Sequence, residues 1–203
     1  MAHSENDNNY EGTLLVYHPH KGDQIPENER DVHLIVNSQN DNNITFCLNH
    51  QYDKNFVDEI LEDFPVENIP LFIGGGENVG ELFVVIHKRP DLIVNSVEIL
   101  SYLDQKGTGI YVSEDEMIDQ IGLYLELGHI EPHEFKIITG FQYIDFRNSQ
   151  FVNNYFHIHA NEKWVFGESL ESEADYWKRL HAIGLKERFR LFAQSFSSSF
   201  SHN

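Results

Sequence analysis

The first half of the chain alternates between short apolar blocks and polar connections. Residues 12–19, 31–37 and 44–49 ("GTLLVYHP", "DVHLIVN" and "ITFCLN") have the length and β-branched content of strands. The second and third blocks are separated by "SQNDNN", whose Asn and Asp side chains favour turns, so we predict a hairpin. Residues 69–90 then predict a strand, a glycine-rich loop and a second strand.

Helical spacing of apolar residues appears in three segments. Residues 53–64, 113–128 and 172–184 each place apolar side chains three and four positions apart, which predicts one buried face. The last helix has room to continue beyond residue 184. Residues 91–107 fit either a strand through "SVEIL" or a short helix, and we favour the strand.

The segment at residues 113–128 carries the clearest helix signals. Ser113 followed three residues later by Glu116 is the pattern of a capping box, and Gly128 is placed to end the helix. The predicted buried stripe consists of Met117, Ile121 and Leu125, with Ile118 beside it.

Strands and helices are interspersed without a regular βαβ repeat. With a further strand at residues 134–144 and a partly extended stretch at 148–166, this order predicts one α+β domain around a mixed sheet. We place that domain at residues 12–192, between a flexible lead at residues 1–11 and a low-complexity tail at residues 193–203.

The glycine-rich loop does not match a phosphate-binding motif. Gly74, Gly75, Gly76 and Gly80 have the wrong spacing for a dinucleotide fingerprint, and the β-type run "ELFVVIH" follows where a helix is required. A P-loop fails because Glu81 and Leu82 stand where Lys and Ser or Thr are needed. We predict that the glycines permit a tight turn or a close approach of strands.

Several segments, in order, resemble the AlgH/YqgE family of small bacterial proteins. They are the glycine loop leading into "LFVVIH", the strand "GTLLVYHP", the stretch "FCLNHQYDKNFVDEIL", the unit "GIYVSEDEMIDQI" and the helix "SEADYWKRLHAIG". The resemblance covers roughly residues 11–190 and implies a mixed sheet, partly curled toward a barrel and flanked by helices. Some members are named as transcriptional regulators, and the family supplies no catalytic residues that transfer to this chain.

The chain departs from the family pattern at several positions. His50-Gln51 replaces an Arg-Pro pair after the retained Asn49, and Gly76 replaces a proline after Gly74-Gly75. A His and three small residues of the family give way to Ser38, Asn42, Asn43 and Thr45. We therefore identify a divergent member, in which any surface shared by the family is altered.

The formal charge of −19 limits the partners of the chain. Such a surface repels phosphate backbones and anionic lipids, so we expect neither nucleic acid nor membrane as partner. Residues 174–192 run against this trend, with five cations and two anions. That segment is either the solvated face of a helix or the contact surface of a DNA-binding regulator. The polar first residues lack the features of a secretion signal, so we expect a cytoplasmic protein. The AlgH/YqgE resemblance implies that it is bacterial.

Residues capable of catalysis or metal binding are scattered. The single cysteine, Cys47, lies in a predicted strand and is expected to be a buried, inert thiol. His157 and His159 would point to the same side of a strand, as metal ligands do, but they need a third ligand. The histidines that could supply it are His18, His20, His87, His129 and His133. Acidic clusters at residues 58–63 and 114–116 favour solvated helix faces over acid–base catalysis.

We therefore predict a non-enzymatic binding or regulatory domain that needs no cofactor and acts through a protein partner or a small ligand. The alternatives are a metal-dependent hydrolase with a His cluster, a DNA-binding regulator that uses the basic C-terminal helix, and a structural or oligomerisation role. The candidate ligand-binding residues, expected to meet at strand ends, are Asn49, His50, Gly74, Gly75, Gly76 and His87. The sequence leaves the ligand, the partner and the oligomeric state open.

Overall fold

A computed structural model describes most of the chain. The described residues are 10–19, 30–39, 42–52, 71–93, 95–101, 109–114, 117–147, 153–166 and 172–200. The helix predicted at residues 53–64 lies outside them, as do the residues of the N-terminal lead up to residue 9.

The first sheet has five antiparallel strands in the order β10-β1-β2-β3-β9. Its strands are β1 (Thr13–Tyr17), β2 (Val32–Gln39), β3 (Asn42–Cys47), β9 (Gln142–Asp145) and β10 (Tyr155–His159). The pairing of β2 with β3 confirms the predicted hairpin, and the register shifts between Ile35 and Asn37. Because side chains alternate along each strand, register decides which of them share a face.

The second sheet is mixed and has the order β4-β8-β5-β7-β6. Its strands are β4 (Leu71–Ile73), β5 (Phe83–His87), β6 (Val97–Ser101), β7 (Gly109–Glu114) and β8 (Phe135–Thr139). β4 runs parallel to β8, and the other neighbours are antiparallel. β6 confirms that the ambiguous segment contains a strand. Together with the helices, the two sheets confirm the α+β class, and the described strands form no closed barrel.

Within the described ranges, three α-helices accompany the sheets: α1 (Met117–Glu126), α2 (Glu162–Phe166) and α3 (Glu173–Phe200). On α1, Ile121 and Leu125 are buried as predicted. Gly128 has a φ of 70° and its amide donates to Leu125 O, while the amide of His129 donates to Tyr124 O. This is the hydrogen-bond pattern of a glycine C-cap, so the predicted end of the helix is confirmed.

The start of α1 differs from the predicted capping arrangement. Ser113 lies within β7, and its hydroxyl is 3.0 Å from His87 Nε2. Its proposed partner, Glu116, lies outside the described residues. Ser113 is therefore part of the second sheet, and its hydroxyl contacts the His87 ring.

The main hydrophobic core lies between the two sheets and the first turns of α3. It combines residues such as Leu34 and Phe46 from the first sheet, Ile86 and Ile138 from the second, and Trp177 from α3. The indole N–H of Trp177 also donates to Tyr17 O over 2.9 Å, which ties the helix to the end of β1. A second core packs α1 against the other face of the second sheet.

Helix α3 continues through the segment assigned to the tail and ends at Phe200. Among the side chains of α3 whose burial is described, the buried ones lie in its first half. None of the helices in the described residues has a stretch that is both long and apolar enough to span a bilayer.

Candidate functional site

A group of polar side chains gathers where β2 begins and β3 ends. Asp31 immediately precedes β2, and its carboxylate lies 3.4 Å from His33 Nε2 and 3.1 Å from His50 Nε2. Cys47 is the last residue of β3 and pairs with His33 across the sheet. We call Asp31, His33, Cys47, Asn49 and His50 the Asp31 cluster.

The side chain of Asn49 holds this cluster in place. Its Oδ1 accepts the amide of Val32 at 2.8 Å, and its Nδ2 donates to Arg30 O at 2.9 Å. These two backbone groups flank Asp31 on either side, so one buried amide fixes the backbone that presents the carboxylate. Asn49 Oδ1 also lies 3.4 Å from Cys47 Sγ. Asn49, a predicted ligand-binding residue, therefore has a positioning role in this geometry.

Electrostatics in the cluster favour a charged Asp31 beside a neutral thiol. Burial of the Asp31 carboxyl raises its pKa, but the polar contacts with the His33 and His50 imidazoles outweigh burial and hold the pKa well below its usual range. Burial, followed by the nearby charge of Asp31, raises the pKa of Cys47 to about 12. The thiol is therefore protonated at neutral pH and is not an activated nucleophile, in agreement with the prediction of an inert, buried cysteine.

The glycine loop lies beside the cluster and joins the two sheets. Gly74 O accepts the amide of Cys47, and Gly74 N donates to Thr139 O. A Cβ at Gly74 would collide with the carbonyl oxygen of Gly140, and one at Gly75 would collide with the backbone of Phe141, whereas Gly76 has open space around it. A close approach of backbones thus accounts for two of the three glycines. The extended chain of β5 follows the loop, so the segment after the loop does not offer it a helix N-terminus.

His87, another predicted ligand-binding residue, is not part of this cluster. Ile86 faces the core between the sheets, so His87, its neighbour on β5, points to the opposite face of the second sheet. There its Nε2 lies 2.9 Å from Ser96 Oγ and 3.0 Å from Ser113 Oγ. The expectation that His87 meets Asn49 and His50 is wrong for this geometric reason.

The hydrogen bonds of His87 also argue against Ser-His chemistry. Its Nδ1 accepts the amide of Arg89 at 3.1 Å, so the ring proton sits on Nε2 and is donated toward the serine hydroxyls. A general base needs a lone pair in that position. Burial lowers the pKa of His87 to about 4, so the ring is neutral at physiological pH.

His157 and His159 are exposed on the same face of β10, as predicted, but no third metal ligand joins them among the described residues. His157 packs against the rings of Tyr10 and Phe146. Of the other candidate ligands, His18 contacts His181 with 3.0 Å between ring nitrogens, His133 contacts Glu131, and His20 lies outside the described residues.

Within the described residues, one group of three metal-ligating side chains converges. One ligand atom each of Asp31, Cys47 and His50 lies within 4.8 Å of the other two. Of these, the sequence singled out only His50 as a candidate ligand-binding residue. The sequence feature that could have pointed to this group is "DVH", in which Asp31 and His33 stand two positions apart. On a strand this spacing places two side chains on one side, as was noted for "FHIH".

A separate surface, which is exposed, lies on the C-terminal half of α3. Phe189 is 71% exposed and Leu191 is 59% exposed, next to the exposed cations Arg188 and Arg190. Arg190 forms an ion pair with Glu187 at 2.9 Å. Apolar and guanidinium groups are thus presented together on one exposed stretch of helix.

Comparisons with known proteins identify the fold. The sequence matches no protein-family model and no curated protein. The structure is similar to that of protein DIP2367 from Corynebacterium diphtheriae, with a TM-score of 0.59 and 16% identity over 87% of each chain. It is also similar to the AlgH protein from Pseudomonas aeruginosa, with a TM-score of 0.55 and 16% identity, covering 91% of this chain and 92% of that one. The chain therefore has an AlgH/YqgE-like fold.

Proposed function

We propose that the chain is a non-enzymatic regulatory domain that binds a protein partner through residues 186–191 of α3. The observation that carries this proposal is the exposure of Phe189 and Leu191 between cationic side chains. Large apolar surfaces exposed beside polar groups are typical of protein contacts, and aromatic residues and Arg dominate their binding energy.

The rest of α3 supports this assignment. Tyr176, Trp177 and Leu180 anchor its first half in the main core, and Gly184 packs so closely on the Phe156 ring that a Cβ there would collide with it. Beyond this anchor the described side chains are mainly exposed. A rigid helix that is fixed at one end presents its other end without a large cost in conformational entropy.

The charge pattern indicates the chemistry of the partner. Residues 186–191 contain three cations and one anion in a chain whose formal charge is −19. A partner with an acidic surface and an apolar pocket complements both the cations and the Phe189 ring. If the chain has a role in transcription, as the AlgH/YqgE resemblance implies, it would act through this protein partner in the bacterial cytoplasm.

The described polar groups give more support to binding than to catalysis. His87 is oriented as a hydrogen-bond donor toward two serines, and the Cys47 thiol is protonated. A nucleophilic mechanism requires an activated group with a base in reach. A direct DNA contact by the same cations is the rival interpretation, and it predicts binding that weakens steeply with salt.

The experiment compares three baits in quantitative affinity purification from the native cell: the unmodified chain, Phe189→Glu and Leu123→Glu. Leu123 is 52% exposed on α1, so its substitution matches the change in charge and polarity at another helix surface. We expect a partner that the unmodified chain and Leu123→Glu retain and Phe189→Glu loses. With the purified partner, Phe189→Glu should weaken binding at least about tenfold, as expected for a central aromatic residue.

An identical set of partners for all three baits would contradict the proposal. Light scattering measures the mass of each variant at several concentrations. A mass that rises with concentration for the unmodified chain but not for Phe189→Glu would identify a second copy of the chain as the partner. A mobility assay with duplex DNA at low salt tests the DNA interpretation, and a shift that Phe189→Glu leaves unchanged would support that rival.

A further inference from the structure

We propose that Asp31, His33, Cys47 and His50 form a binding site for a thiophilic divalent cation of the zinc class. This inference is independent of the partner surface on α3. It rests on the convergence of Asp31, Cys47 and His50 and on the buried His33 nitrogen that faces Asp31.

The hairpin brings the four ligands together from three backbone segments. His33 on β2 and Cys47 on β3 are directly opposite each other, Asp31 lies two residues before His33, and His50 follows the end of β3. Ligand atoms of Asp31, Cys47 and His50 lie within 4.8 Å of one another, and His33 Nε2 is 3.4 Å from Asp31 Oδ2. In a tetrahedral zinc site, bond lengths of ~2.0–2.3 Å place neighbouring ligand atoms roughly 3.3–3.7 Å apart.

The second observation is the state of His33, whose side chain is only 2% exposed. The Thr45 hydroxyl donates to Gln142 O at 3.3 Å, so its oxygen can accept the Nδ1 proton of His33, which lies 3.4 Å away. The Nε2 atom of His33 is buried and has no hydrogen-bond partner with good geometry among the described residues. It lies 3.4 Å from a carboxylate oxygen of Asp31. A buried imidazole nitrogen without a good hydrogen bond, placed beside a carboxylate, is a favourable position for a cation.

The arrangement matches the way in which proteins build metal sites. A histidine ligand commonly donates its second ring N–H to an oxygen, which fixes the ring and its tautomer, and Thr45 occupies that position here. Asn49 fixes the backbone on both sides of Asp31. Two prospective ligands therefore have supporting contacts of their own.

The ligand types select the class of cation. A thiolate, two imidazoles and one carboxylate suit Zn²⁺ and its analogue Co²⁺, whereas Mg²⁺ and Ca²⁺ prefer sites made of oxygen atoms. Asp31 and His50 are 32% and 33% exposed at their side chains, which leaves a path for the ion from solvent. On binding, the Cys47 S–H bond breaks, its sulfur forms the bond to the metal, and the proton leaves to water.

The test uses Co²⁺ as the probe with the full chain after treatment with a chelator. We expect one Co²⁺ per chain, a thiolate-to-cobalt charge-transfer band in the near ultraviolet and displacement of the Co²⁺ by Zn²⁺. Cys47→Ser should abolish the charge-transfer band, and His50→Gln should weaken Co²⁺ binding at least tenfold. His159→Gln removes an exposed histidine outside the cluster and should bind as the unmodified chain does.

His50 is partly exposed, so its substitution keeps the test valid even if Cys47→Ser fails to fold, and circular dichroism checks the fold of each variant. Absence of Co²⁺ binding to the unmodified chain would overturn the proposal. A proton between His33 Nε2 and the Asp31 carboxylate would then account for their contact without a metal ion. Binding without the charge-transfer band, or equal binding by His50→Gln, would overturn it as well.

Discussion

Two buried histidines illustrate how neighbouring backbone and side-chain groups assign different roles to the same residue type. At His87, the Arg89 amide occupies Nδ1 and directs the ring proton at Nε2 toward Ser96 and Ser113. At His33, Nδ1 lies 3.4 Å from the Thr45 hydroxyl, and Nε2 faces Asp31 at 3.4 Å. The first ring is a fixed structural donor, and the second is a candidate metal ligand.

The low pKa of His87 predicts a specific loss of stability in acid. Burial holds this pKa at about 4, below the ordinary value of 6.5, so between these values the unfolded chain binds a proton that the folded chain does not. The contribution to the free energy of unfolding is complete above pH 6.5 and falls with pH, by at most ~3 kcal/mol at pH 4. His87→Gln keeps a donor but cannot be protonated.

Urea denaturation of both chains at pH 7 and pH 4.5 measures this effect. The unmodified chain should be the more stable at pH 7, and its advantage over His87→Gln should shrink at pH 4.5. His159→Gln controls for the loss of a histidine at an exposed position. An advantage that stays constant between the two pH values would show that His87 does not titrate in this window.

At the scale of elements, the glycine corner between β4 and β5 decides how the sheets meet. β4 and β5 flank β8 on its two sides, so the chain must pass from one neighbour of β8 to the other. Gly74 makes this passage against the backbone at Gly140, and its carbonyl accepts the amide of Cys47 in the first sheet. Any side chain at position 74 would force these backbones apart.

Matched substitutions in the glycine run test this role. Gly74→Ala places a methyl group on the carbonyl oxygen of Gly140, so we expect a loss of about 1–3 kcal/mol in the free energy of unfolding. Gly76→Ala has no atom within 4 Å of the added carbon, and it should be neutral or slightly stabilising. Thermal or urea denaturation separates the two variants, and equal stabilities would argue that the corner relaxes freely.

At the scale of the whole molecule, charge is unevenly distributed. The formal charge of −19 means that the folded chain repels itself, while α3 carries cations such as Arg188 and Arg190 near its exposed end. An acidic surface would therefore be repelled by the molecule as a whole and attracted by this part of α3.

Self-repulsion predicts that salt stabilises the chain. Raising NaCl from 10 to 200 mM shortens the range of charge interactions from about 30 Å to less than 10 Å, so the compact state loses more repulsion than the unfolded state. We expect Tm to rise by about 2–4 °C, which corresponds to ~1 kcal/mol for a chain of this size. An uncharged solute at equal osmolality is the control, and an unchanged or lower Tm in salt would contradict the expectation.

Local and long-range features differ in how far the sequence revealed them. The buried face of α1 and its end at Gly128 were predicted because spacing and a single glycine encode them locally. The Asp31 cluster depends on the register of β2 against β3, which brings His33 opposite Cys47. The sequence singled out Asn49 and His50 but not Asp31, which lies near them only because β2 pairs with β3. His87 lies outside the group because side chains alternate between the two faces of β5.

The backbone between Cys47 and Tyr52 crosses from the first sheet to the second. The amide of Cys47 donates to Gly74 O, that of Ile73 to His50 O, and that of Tyr52 to Leu71 O. Three backbone hydrogen bonds thus join the segment after β3 to β4, and separating the two sheets would break them. We therefore expect the two sheets to unfold together, so that a ligand that tightens the start of β2 against the end of β3 would slow the opening of both.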